Sequence, residues 1–191
     1  MVGPAHQQFG PIVSSITAAR PVTPDIDEVG GAFPGSGCMV VVSPTTADFA
    51  KEAALSDMFE IQSSQIAQER GNASEKAFAA TMIADHQKTT DELKSMVSAE
   101  SVKTDLPTAP DSSHQAKVDK LKFLNGADFS SRYDSDQVSG HKDAVSLFER
   151  YSASGDDPKL KDWAGKTLPT LRHHLEMAQD LESGKTVGSR Q

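Results

Sequence analysis

Three histidines in this sequence stand where helices normally carry apolar side chains. His86 follows Met82 by four residues and precedes Leu93 by seven, in a stripe that also holds Phe78 and Met96. His141 belongs to a second stripe, Phe129, Tyr133, Gln137, His141, Val145 and Phe148, with steps of four, four, four, four and three. His174 shares a face with Leu171, Ala178 and Leu181, whereas the adjacent His173 leans toward the flank. Residues three or four apart lie on one side of a helix, so each of these histidines is expected to point inward. A buried polar group without a partner costs about 1–3 kcal/mol. The imidazoles must therefore satisfy one another, by hydrogen bonds or through a shared cation.

Carboxylates and one phenol stand close enough in the pattern to join them. Glu60 lies on a face of small residues, Ser56, Ser63 and Ala67, which leaves room beside a carboxylate. Asp85, next to His86, can act as a ligand or as an acceptor that fixes an imidazole tautomer. Tyr133 stands two turns before His141, as a ligand, a redox residue or a core tyrosine tied to a carbonyl. The candidate metal set is therefore Glu60, Asp85, His86, Tyr133, His141 and His174. Three histidines with a carboxylate or water suit zinc, copper or iron.

Other chemistries lack their residues. The single cysteine, Cys38, excludes an internal disulfide framework and any zinc site built on two cysteines of this chain. Di-iron carboxylate bundles use Glu-x-x-His pairs, but the residues three before the histidines are Ile83, Val138 and Leu171. No Gly-rich phosphate loop and no nucleophilic triad spacing is present, so no catalytic residue and no organic cofactor are expected.

Helices must position these groups, and their ends are marked. Pro44-Thr45 with Asp48 opens a first helix and Arg70-Gly71 closes it, glycine supplying the left-handed residue that helix ends favour. Asn72 with Glu75 opens a second, to about Ala99. Ser112 with Gln115 starts a short third segment that ends at Asn125-Gly126, and another helix runs from about Ala127 to Ser154. Asp157 caps a last helix with Pro158 at its first position, running to Leu181 with a kink expected at Pro169. Four long helices and one short one make an all-α four-helix bundle over residues 45–182.

The chain has 191 residues, against the ~150 of a typical domain, and one folded domain is expected. Residues 1–44 hold six of the ten prolines and six of the thirteen glycines, with no leucine or lysine. They read as a low-complexity, disordered segment apart from a short strand that Met39–Val42 would allow, and residues 183–191 read as a disordered tail. No basic stretch followed by an apolar core marks a signal peptide. The longest apolar run, Cys38–Val42, is far below the ~20 residues of a membrane span. A net charge of −8 argues against binding nucleic acid.

Four pieces taken in order, Phe59-Glu60-Ile61, Met82 to His86, Phe129 to His141 through Tyr133 and Gln137, and Leu168 to Leu175, resemble the bacterial domain-of-unknown-function 4142 family. The similarity covers about Thr45 to Leu181. It implies a ferritin-like bundle, usually exported to the periplasm or cell envelope, and carries over Glu60, Asp85, His86, Tyr133, His141 and His174 by their matched motifs. Three readings follow: a bundle that sequesters, senses or buffers a divalent cation; a non-enzymatic envelope or stress-related interaction protein with structural histidines; and a redox enzyme using Tyr133 and a metal. The chain is expected to be a monomer or homodimer.

Overall fold

The computed structural model describes residues 43–99 and 104–185. The expectations for residues 1–42, including Cys38 and the Met39–Val42 strand, and for residues 186–191 lie outside the described residues. Among the described residues five helices follow one another: α1 (Thr46–Arg70), α2 (Ala73–Ser98), α3 (Ser112–Phe123), α4 (Gly126–Ser154) and α5 (Pro158–Glu182). None is long and apolar enough to cross a membrane.

The helix ends follow local chemistry. Thr45 caps α1 by accepting from the Asp48 backbone N–H at 3.1 Å. Asn72 and Glu75 form a reciprocal capping box at the start of α2, and Asp157 caps α5 with Pro158 at its first turn. Two expectations are corrected. The cap of α3 is Asp111, one residue before Ser112, accepting from the His114 N–H at 2.8 Å. Gly71 is extended, with φ −70° and ψ 161°, rather than left-handed. Glycine is needed there because a Cβ would meet the Ala67 carbonyl oxygen at 2.6 Å and Glu75 Cβ at 2.9 Å in the tight α1–α2 turn. Pro169 lies inside α5 without ending it.

The short turns at residues 71–72 and 155–157 make α1–α2 and α4–α5 two helical hairpins. They meet along α1 against α4 and α2 against α5, with α3 laid across α1 and α4. One apolar cluster joins the start of α1 (Phe49, Ala53) to the ends of α2 and α4 (Leu93, Tyr151) and the start of α5 (Leu160, Trp163). The other joins the end of α1 (Ile66, Ala67) to the starts of α2 and α4 (Phe78, Phe129) and the end of α5 (Leu181). Helices α2 and α4 therefore run the same way, and the chain must travel from one end of the bundle to the other between them. Among the described residues, Leu106 packs against the first cluster and Val118 and Leu121 of α3 are buried in the second, so residues 104–123 lie along that crossing. Four helices with one long crossover are the ferritin-like arrangement.

Candidate metal centre

Between the two apolar clusters lies a buried polar layer. It contains Asp57 and Glu60 of α1, His86 of α2, His141 of α4 and His174 of α5. The three histidines are 1–2% exposed, and their ring centroids stand 5.8, 5.6 and 5.5 Å apart in a near-equilateral triangle. One donor atom of each ring lies within 4.8 Å of those of the other two.

Each ring is held by one nitrogen. His86 Nδ1 stands 2.8 Å from Asp57 Oδ1, and the other Asp57 oxygen accepts from the hydroxyls of Thr89 and Thr90 at 2.9 and 3.0 Å. His141 Nδ1 donates to the Gln137 carbonyl at 2.9 Å, and His174 Nε2 to Asp85 Oδ2 at 2.9 Å. A carbonyl or a carboxylate can only accept, so these nitrogens carry the protons. The opposite atoms, His86 Nε2, His141 Nε2 and His174 Nδ1, are buried without a protein hydrogen-bond partner.

Electrostatics keep two rings neutral. Burial, with the His86 charge nearby, pushes His141 down to about 3 and His174 down to about 4. His86 differs: burial opposes its charge, but the Asp57 hydrogen bond and the charges of Asp57, Glu60 and Asp85 raise it above its ordinary value. Glu60 is pushed up to about 7 by burial, against the pull of His86 and Gln137.

The donor set fits a divalent metal. Three atoms no more than 4.8 Å apart lie within 4.8/√3, or about 2.8 Å, of a common centre. A zinc–imidazole bond is about 2.0–2.1 Å, so ring movements below about 1 Å bring the donors to bonding distance.

Of the six residues singled out by sequence, three form this group. Asp85 tethers His174 across the α2–α5 interface rather than its neighbour His86. Glu60 approaches His141 at 3.9 Å from its Nδ1 side, with its other oxygen unpartnered. Tyr133 stands in the second apolar cluster, its hydroxyl 3.1 Å from Ser64 Oγ, and burial raises it well above the usual tyrosine range. Sequence reasoning missed Asp57. Helix α1 is buried over a wide arc, so residue spacing along it did not mark Asp57 out.

A family model described as a domain of unknown function, DUF4142, matches residues 38–181. No curated protein matches the chain. A solved structure of CopM in the Cu(II)-bound form is similar in fold, with a TM-score of 0.62 at 13% sequence identity, covering 75% of this chain and 99% of that one.

Proposed function

This chain belongs to the DUF4142 family, and on that premise we propose that its bundle binds one divalent transition metal ion between His86, His141 and His174. One observation carries the reading: each ring is anchored by one nitrogen, and its opposite nitrogen is buried and unpartnered inside a cluster of three. In neutral rings those three atoms are lone-pair acceptors that no protein donor serves. A water molecule has two protons and would satisfy two of them; a metal ion satisfies all three. The outer partners fit the same purpose, since a carboxylate or carbonyl on the far nitrogen fixes the tautomer and makes the ring a stronger ligand.

Imidazole nitrogen suits zinc, copper and iron alike. The Cu(II) in the CopM structure, which shares this fold, supports copper as the first ion to supply. We read the role as sequestration or buffering of that ion, with the metal as cargo. The competing reading is a metal-free network in which a protonated His86 donates Nε2–H to a water molecule that in turn donates to His141 Nε2 and His174 Nδ1; metal content separates the two readings.

Elemental analysis of protein purified without chelator and reloaded with Cu(II) or Zn(II) tests this. One equivalent is expected in the native protein and none in a His86→Ala/His141→Ala variant. Saturating metal at about 100 times Kd should add about 2.7 kcal/mol of stability, lost on chelation. Equal metal content in both proteins would remove the proposal.

A further inference from the structure

A surface cleft borders two of the three rings of the buried centre. A cleft of about 280 Å³ lies between α2 and α5, lined by both His86 and His174 together with Asp85, Trp163, Lys166 and Thr170. We propose that this cleft is the port through which a hydrated divalent metal ion enters and leaves the three-histidine centre, with Asp85 as the first group it meets; the inference rests on the metal-site reading above.

Four observations converge on it. The Asp85 side chain is 41% exposed, yet it bonds His174, whose side chain is 2% exposed, so a single hydrogen bond spans solvent and the buried ring. The cleft volume matches about nine waters at ~30 Å³ each, enough for an ion with about six waters around it. Each lysine of the cleft has an acid nearby, Asp162 for Lys166 and, at 4.0 Å, Glu92 for Lys88, and of the lining acids it is Asp85 that is hydrogen-bonded to one of the rings. The larger cleft on the other side, between α1, α3 and α4, is lined by Phe59 and Gly140 and reaches none of the three histidines.

A cation arriving at Asp85 would compete with the His174 Nε2–H for the carboxylate, and release of that hydrogen bond lets the ring turn. The port and the latch on His174 are then the same residue. Uptake and loss of metal should both pass through this point, so narrowing the cleft should slow both while leaving the final occupancy alone.

The sole tryptophan, Trp163, lines the cleft and supplies the readout, because bound Cu(II) quenches indole fluorescence. Cu(II), delivered as its glycine complex, is mixed with native protein and with Thr170→Phe, Lys166→Phe and Ser146→Phe, and the loaded proteins are then stripped with EDTA. Thr170 and Lys166 are exposed residues of the port, and Ser146 is an exposed residue of the other cleft. The port predicts that Thr170→Phe and Lys166→Phe slow both uptake and stripping by about tenfold or more, as a gate does, with one equivalent bound at the end and Ser146→Phe behaving as native. Unchanged rates in both plugged variants, with metal still bound, would overturn the port, as would slowing by Ser146→Phe alone. Failure of the native protein to bind Cu(II) at all would instead remove the underlying metal site.

Discussion

Asp57 Oδ1 stands 2.8 Å from His86 Nδ1, joining the middle of α1 to the middle of α2 through a buried pair. With the Thr89 and Thr90 hydroxyls on its other oxygen, the carboxylate is held on both sides. The pair fixes which nitrogen of His86 is free, and so decides what the ring can offer the centre.

Removing that carboxylate should therefore act on both binding and folding. Asp57→Asn keeps an acceptor for the ring but removes the charge, and should weaken metal binding by about 10–100-fold. Asp57→Ala strips His86 and both threonines of their partner and should cost about 3–5 kcal/mol, as broken buried pairs do. Metal titration and urea unfolding of the two variants separate these effects.

Asp85 is the milder case. Its side chain is 41% exposed while the ring it holds is buried. Asp85→Ala should lower metal affinity by about tenfold yet change the stability of the metal-free protein by only about 1 kcal/mol, because the carboxylate is already in contact with solvent. A competition assay with a chromogenic chelator, alongside thermal melts, checks both numbers.

Tyr133 should prove dispensable for metal. Its hydroxyl meets Ser64 at 3.1 Å, and the ring stacks on Phe129 with centroids 5.6 Å apart. Tyr133→Phe should retain one equivalent of metal and lose about 1 kcal/mol of stability for the missing hydrogen bond. Loss of metal in this variant would return the phenol to the ligand set.

Gly140 leaves space for Glu60, since a Cβ there would lie 3.0 Å from Glu60 Oε1. Alanine inside a helix ordinarily gains about 1 kcal/mol over glycine. Gly140→Ala should show that gain in a Glu60→Ala background and a smaller gain, or a loss, in the native one. A double-mutant cycle by denaturant unfolding measures the difference.

Away from the centre, Asp134 is pushed up to about 7 by burial and by the charges of Glu75 and Glu182. Between its unfolded value near 4 and about 7, the folded protein holds a proton that the unfolded chain has released, so stability falls as pH rises through that window. Asp134→Asn removes that group's share of the fall, while Glu60, also pushed up to about 7, keeps its own. The variant should equal the native protein at pH 4 and exceed it by about 1–2 kcal/mol at pH 8, after allowance for partial exposure. Urea midpoints across that range carry the test.

The helices were legible because their ends are written in local chemistry. Thr45, the Asn72–Glu75 box and Asp157-Pro158 cap where their side chains can reach orphan backbone N–H groups, whatever the rest of the chain does. The three inward histidines were legible for the same kind of reason, as interruptions of apolar stripes on α2, α4 and α5. Asp57 was not, because α1 touches α2, α3 and α4 and is buried over a wide arc, so periodicity singles out no one face of it. The pairing of Asp85 with His174 was hidden too. It depends on how far α2 and α5 slide along each other, which residue spacing within either helix does not fix.

The central claim concerns a point in space, and anomalous diffraction addresses it directly. Crystals of the native protein soaked with Cu(II) and measured at the copper edge should give one strong peak among His86 Nε2, His141 Nε2 and His174 Nδ1. A map with no peak there at full soaking, or with copper only at surface carboxylates, would contradict the account.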